Sequence, residues 1–227
     1  MKSIAIIPAY NEDQIIGEVV SQTLQYVDSV IVINDQSTDD TVNEAIFTGA
    51  TVKFTKGNRG AGKATRQGIL LALVYGADAV VTLDGDGQHN PGDIPQMLKL
   101  LERFDIVLAS RFMDIPTNIP AYRRFGVKVI TFAYNFGYGY KISDAQCGLR
   151  AFRSTVFENI EIEEDGFGFS TETLIKARSK GFKITEMPTT VKYHKEFRQN
   201  STLNPIKHGL SVLFCTLKWR FKIETKS

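Results

Sequence analysis

The chain has 227 residues, 43% hydrophobic and 23% charged, the balance of a soluble globular protein with a core of ordinary size. Its two cysteines, Cys147 and Cys215, lie far apart in apolar surroundings, which excludes a disulfide framework and points to a reducing compartment. The first residues run straight into a strand pattern with no signal peptide, no apolar run nears the roughly 20 residues that span a bilayer, and the net charge is only +2.

The first hundred residues alternate strand and helix patterns, which predicts βαβ units and a mostly parallel sheet. Residues 3–7 form a short apolar strand, and Pro8, which lacks an N–H, should end or turn it. Tyr10 and Glu12 then project from the strand end, where a ring can stack on a base and a carboxylate can accept from a nucleoside; a plain turn capped by Asn11 is the alternative. A helix runs to about Tyr26, and residues 29–34 form a second strand that ends at Asp35, a candidate ligand contact. Asp39 and Asp40 fit the N-terminus of the next helix electrostatically.

A third strand, residues 51–55, precedes Gly57-Asn58-Arg59-Gly60-Ala61-Gly62-Lys63-Ala64. This matches a phosphate-binding P-loop except that Ala64 stands where a Ser or Thr should hold magnesium. Arg59 and Lys63 at the start of the helix over 64–75 can still serve an anion. The fourth strand, 79–83, leads into Asp84-Gly85-Asp86-Gly87-Gln88-His89. Two carboxylates separated by one glycine at a strand end suit a hard divalent cation, although Asp-Gly is also ordinary turn chemistry. A helix opened by Pro91 and a fifth strand over 105–109 follow.

Beyond Ser110 the pattern changes: a helix over 123–136 with a basic start and an aromatic body, strands over 148–153, 182–186 and 189–193, a helix over 170–179, and a last helix from Pro205 to about Lys222. Residues 119–142 carry +4 and residues 188–227 carry +6, so the remainder carries −8. Basic segments that are also aromatic and aliphatic favour an anionic membrane surface over nucleic acid; a solvated rim is the bland alternative. The expected organisation is one domain over 1–204 and a C-terminal amphipathic helix over 205–227 at the membrane surface.

Read together, Pro8-Ala9-Tyr10-Asn11-Glu12, residues 34–41, Asn58-Arg59-Gly60, Asp84-Gly85-Asp86-Gly87-Gln88, Ala109-Ser110-Arg111-Phe112 and residues 143–152 resemble, in order, the family 2 glycosyltransferases of the GT-A fold, nearest the polyprenyl-phosphate (dolichyl-phosphate) mannosyl and glucosyl synthases. The resemblance implies an α/β, Rossmann-like fold with helices on both faces of the sheet and amphipathic helices at a membrane interface. It implies that Pro8, Tyr10, Glu12 and Asp35 hold the nucleoside of a nucleoside diphosphate sugar. Asp84, Asp86 and Gln88 would bind magnesium or manganese, and Lys63 and Arg198 would meet the diphosphate. Arg111, Arg124 and Arg150 would grip the acceptor phosphate, with Arg123 able to replace Arg124; Asp86, Arg111 and Arg150 would carry catalysis.

The resemblance further implies inversion at the sugar's C1, a polyprenyl phosphate acceptor, and peripheral attachment on the cytoplasmic face of a membrane, alone or through an anchoring partner protein. Trp219 would sit at headgroup level. Two departures put the nucleotide base in doubt: Ala61 stands at a family lysine, and Asn34 at a frequent acid. The competing functions are a family 2 transferase with a soluble or polysaccharide acceptor, a nucleotidyltransferase, and a non-catalytic binding module.

Overall fold

The computed structural model describes residues 1–56, 60–113, 119–191 and 205–224. Seven strands, β1 Ser3–Ala9, β2 Ser29–Asn34, β3 Thr51–Phe54, β4 Ala79–Thr82, β5 Ile106–Ser110, β6 Arg150–Arg153 and β7 Ile184–Pro188, form one sheet in the order β3-β2-β1-β4-β6-β5-β7. All neighbours are parallel except that β6 runs antiparallel to β4 and β5. The helices are α1 Ile16–Thr23, α2 Thr41–Phe47, α3 Ala61–Val74, α4 Ile94–Leu100, α5 Ala121–Asn135, α6 Ser154–Asn159, α7 Phe169–Ser179 and α8 Pro205–Glu224.

The central strand β1 is apolar along its length because both its faces are covered. Ala5, Ile7 and Ala9 pack with Ile16, Val19 and Val20 of α1 and Met97 of α4. Ile4 and Ile6 pack on the opposite face with Ala64, Ile69 and Ala72 of α3. Gly68 lets α3 lie close: a Cβ there would overlap Ile6 Cγ2 and come 3.1 Å from Ile33 Cγ1. A third cluster joins Tyr134 of α5, Leu174 and Ile175 of α7, and Cys215 and Trp219 of α8 to Ile106, Leu108 and Phe152 of the sheet.

β1 continues through Pro8, where the sequence predicts an end or a turn. In a parallel strand the N–H and C=O of one residue point the same way, and even-numbered residues of β1 face β4: Ala79 N donates to Lys2 O and Leu83 N to Ile6 O. β4 ends at Thr82, opposite Ile6. The N–H that Pro8 lacks would have faced past the end of β4, so its loss costs the ladder nothing.

Helices α1 and α2 start later than the capping residues predict, because those residues bind one another instead. Asn11 N donates to Ser37 Oγ (3.0 Å), Thr38 N to Asn11 Oδ1 (2.8 Å) and Glu12 N to Thr41 Oγ1 (2.8 Å). This polar seam holds Asn11 and Gln36 at φ of 54° and 67° and ties the ends of β1 and β2 together. Residues 189–191 are not a strand; Thr189 is pinned by its N to Ser110 O and by its Oγ1 to Asp93 Oδ2. The rest of that expected strand, and Arg59 and Arg198, lie outside the described residues.

Candidate active site

The carboxyl ends of β1, β2, β4 and β5 meet at one edge of the sheet, where open α/β sheets bind ligands. Asp84 and Asp86 leave the end of β4 on a turn in which Gly87 takes φ 69°, and Gln88 N donates to Asp86 Oδ1 (3.0 Å). Gly85 sits in a tight spot: a Cβ there would lie 3.2 Å from Pro8 O and 3.3 Å from Ile16 Cδ1. Glu12 arrives from the end of β1. Its pKa is pushed up to about 8, first by burial and then by the charges of Asp86, Asp39, Asp84 and Asp13.

Burial and the Asp84 charge likewise raise Asp86, against a smaller opposing pull from His89, Gln88 N and Arg123. The Asp84 side chain is 54% accessible through the open end of the recess but crowded by protein on its other sides. That crowding works to raise its pKa; the His89 hydrogen bond and the charges of His89, Arg111 and Arg150 outweigh it and hold Asp84 below the usual carboxylate range. Carboxylates that raise one another's proton affinity form a centre short of positive charge, and their hard oxygens fit a divalent cation. Among the described residues no group of three or more His, Cys, Asp or Glu side chains is arranged as a self-sufficient metal site. Two aspartates and a flanking amide match the other type, in which substrate phosphates complete the shell.

On the β2 side, Asp35 is 8% exposed and spends both oxygens inside the protein, accepting from Thr55 Oγ1 (2.8 Å) and Gly60 N (2.9 Å). It fixes the start of α3 relative to β2 and β3. Lys63 N donates to Asp165 O (2.9 Å), and Arg66 pairs with Asp165 Oδ1 (2.8 Å). A Cβ on Gly62 would overlap Gly166 O. Of the N–H groups that a P-loop would aim at phosphate, those of Gly60 and Lys63 are instead taken by Asp35 and Asp165. Tyr10 is partly exposed beside Glu12.

On the β5 side, Arg111 makes a forked pair with Asp144, Nε to Oδ2 at 2.6 Å and Nη2 to Oδ1 at 2.9 Å. Asp144 is fully buried; its N and Ser143 N both donate to Glu186, and Ser110 Oγ meets Ser143 Oγ at 2.6 Å. Arg111 is 14% exposed and its charge is felt at Asp84, so it stands between its anchor and the acidic centre. Of the α5 arginines, Arg123 is the one among the main charges acting on Asp86. The spacing in the sequence does not separate it from Arg124.

Arg150 requires a correction. The resemblance makes it a grip for acceptor phosphate, but it is 1% exposed and donates to three carbonyls, Cys147 O (2.7 Å), Ala145 O (2.8 Å) and Ser170 O (2.8 Å). It braces the 144–149 segment against the start of α7. Trp219 also departs from expectation: it is 1% exposed, its Nε1 donates to Glu164 Oε1 (2.9 Å), and Lys176 and Lys222 lie 4.0 and 4.2 Å from its ring centre. Glu172 is buried under Lys176 (2.6 Å) and accepts from Glu163 N and Glu164 N, a structural role. Asp144 and Glu186 escape a sequence search because their partners lie 33 and 43 residues away.

A parallel nucleotide-type sheet interrupted by one antiparallel strand, with aspartates beyond β4 and a cationic second half, is the architecture of a GT-A glycosyltransferase. The chain belongs to glycosyl transferase family 2, whose model matches residues 4–161. It is 34% identical to glycosyltransferase AglJ of Haloferax volcanii, over 95% of this chain and 70% of that protein. It is 29% identical to the UDP-N-acetylglucosamine–dolichyl-phosphate N-acetylglucosaminyltransferase of Methanococcus voltae, over 83% and 84%. The fold matches glucosyl-3-phosphoglycerate synthase of Mycobacterium tuberculosis, solved with Mn2+, UDP-glucose and phosphoglyceric acid, at a TM-score of 0.78 and 19% identity, over 96% of this chain and 79% of that one.

Proposed function

We propose that this glycosyltransferase moves a sugar from a nucleoside diphosphate to the phosphate of a polyprenyl lipid, with inversion at C1. The observation that carries the reading is the pairing of the Glu12–Asp84–Asp86 centre with Arg111 and with α5, whose outer side exposes Tyr122 (57%), Phe125 (71%) and Phe132 (70%) among Arg123, Arg124 and Lys128. Relatives named for dolichyl or undecaprenyl phosphate, such as the Methanococcus voltae enzyme, support the acceptor class.

Pro8, Tyr10, Glu12 and the loop braced by Asp35 would hold the nucleoside, and Lys63 and Arg198 the diphosphate. Asp84, Asp86 and Gln88 would hold a magnesium or manganese ion, which when bound neutralises charge on the departing diphosphate. Arg111, kept in place by Asp144, and Arg123 or Arg124 would seat the acceptor phosphate. One of its oxygens attacks C1, the bond from C1 to the diphosphate oxygen breaks, and the electron pair leaves with the nucleoside diphosphate. The acceptor is already ionised at neutral pH, so the site needs no strong general base.

Residues 1–204 would act as the catalytic unit. No described helix is long and apolar enough to cross a membrane. Attachment would be to an anionic cytoplasmic surface through the exposed face of α5 and that of α8, where Leu210, Phe214, Leu217 and Phe221 point outward, directly or with an anchoring protein.

The test is extraction of product into organic solvent after incubation with radiolabelled nucleotide sugars, polyprenyl phosphate and Mn2+. Label should enter the organic phase with the wild type and not with Asp86→Ala. Absence of organic-phase label with every donor would overturn the acceptor class, and undiminished turnover in Asp86→Ala would overturn the metal assignment.

A further inference from the structure

His89 has no part in the reaction as described so far, yet it is one of the most constrained side chains at the site. It is 9% exposed, and its Nε2 lies 3.0 Å from Asp84 Oδ2. Its Nδ1 is buried, with the Cys147 thiol near the ring but no hydrogen bond of normal geometry to it. A carboxylate at neutral pH only accepts, so the hydrogen bond places a proton on Nε2. A buried polar atom left unsatisfied costs free energy. A phenylalanine or leucine would fill the space without that cost, so packing alone does not account for a histidine here.

The backbone closes on the pair from the other side. A Cβ on Gly148 would overlap Asp84 Oδ2 and lie 2.9 Å from His89 Nε2. Gly148 is itself held by Thr82 Oγ1, which donates to its carbonyl (3.0 Å), and Thr82 is the last residue of β4. Asp84 Oδ2 is therefore confined between an imidazole N–H and a glycine backbone, both anchored in the fold.

We infer that His89 is a positioning residue for Asp84: it holds Oδ2 so that Oδ1 is presented to the divalent cation. The inference rests on the proposed metal site and adds a residue to it that touches neither substrate nor ion. Hydrogen-bonded supports behind a ligating carboxylate typically set metal affinity by about 10–100-fold. A glutamine at 89 can still offer an N–H to Oδ2, whereas a leucine of similar bulk cannot.

The measurement is Mn2+ affinity, read by electron paramagnetic resonance of the free ion in the presence of UDP, with thermal melting as the control for folding. His89→Leu should weaken Mn2+ binding about 10–100-fold, and His89→Gln should recover much of that loss. Gly148→Ala, which leaves His89 in the chain but crowds both atoms of the pair, should also weaken it. Wild-type affinity in a folded His89→Leu protein overturns the inference. So does equal weakening in the Leu and Gln variants, which would make the role one of ring shape. If His89→Leu does not fold, wild-type affinity in Gly148→Ala overturns the inference, and weakened affinity in Gly148→Ala with near-wild-type affinity in His89→Gln supports it. Failure of the wild type to bind Mn2+ would sink the metal reading itself, a separate result.

Discussion

Arg150 separates two accounts of the same residue. If it gripped acceptor phosphate, Arg150→Lys would keep most of its charge at the site and raise the acceptor KM while leaving stability unchanged. The structure predicts the reverse. Three guanidinium N–H groups hold three carbonyls from two segments, two of them in buried bonds, and an ammonium cannot reach all of them in a fork geometry. Arg150→Met leaves those carbonyls unpaired, and losing a buried, charged hydrogen-bonding hub costs about 3–5 kcal/mol. For a domain of this size that lowers Tm by roughly 10 °C. Arg150→Lys should fall between. Thermal melting followed by acceptor titration at a temperature where both proteins are folded checks this. A lysine variant that melts with the wild type and shows a ten-fold higher acceptor KM would refute the bracing role.

Glu12 gives a pH prediction for the metal-free protein. Its pKa in the fold is raised from an ordinary 4.5 to about 8, so the stability linked to its protonated form is complete below pH 4.5 and lost as pH rises through 8. Melting in EDTA should show Glu12→Gln gaining on the wild type across that window; parallel curves would remove the acidic-centre argument. On α5, Phe125→Ser with Phe132→Ser should reduce co-sedimentation with anionic vesicles several-fold at unchanged Tm, because both rings are more than two-thirds exposed; undiminished binding would assign that face another role. Gly68→Ala should destabilise by about 1–3 kcal/mol through overpacking against Ile6, despite the roughly 1 kcal/mol that alanine gains in a helix; a higher melting temperature would show that α3 shifts freely.

The donor half of the fold was legible because it repeats one signal, an apolar strand followed by a polar end and a helical period. Each polar end, at Glu12, Asp35 and Asp84, emerges at the same sheet edge. The acceptor half was less so. Periodicity in α8 yields apolar residues on more than one side, and sequence cannot say which side meets protein: Val212, Cys215 and Trp219 are buried, while Leu210, Phe214 and Phe221 face out. Arg150 illustrates the same limit, since a motif gives its neighbourhood but not whether its guanidinium points to solvent or to carbonyls. Asp144 and Glu186 act through partners distant in sequence, which no local pattern encodes.

The reversed direction of β6 has a consequence for how such a chain can diversify. Because β6 starts where β4 and β5 finish, the excursion between Ser110 and Ser143 departs from and returns to one point, where the two hydroxyls meet. It is a loop clasped at its base, hung on a sheet whose nucleotide-facing half it does not interrupt. Lengthening it outside the part of α5 that packs through Tyr134 adds only a slowly growing closure entropy and disturbs no strand pairing. Under the proposed function, the half that would choose what receives the sugar can thus be rewritten while the half that would recognise the activated sugar stays as it is.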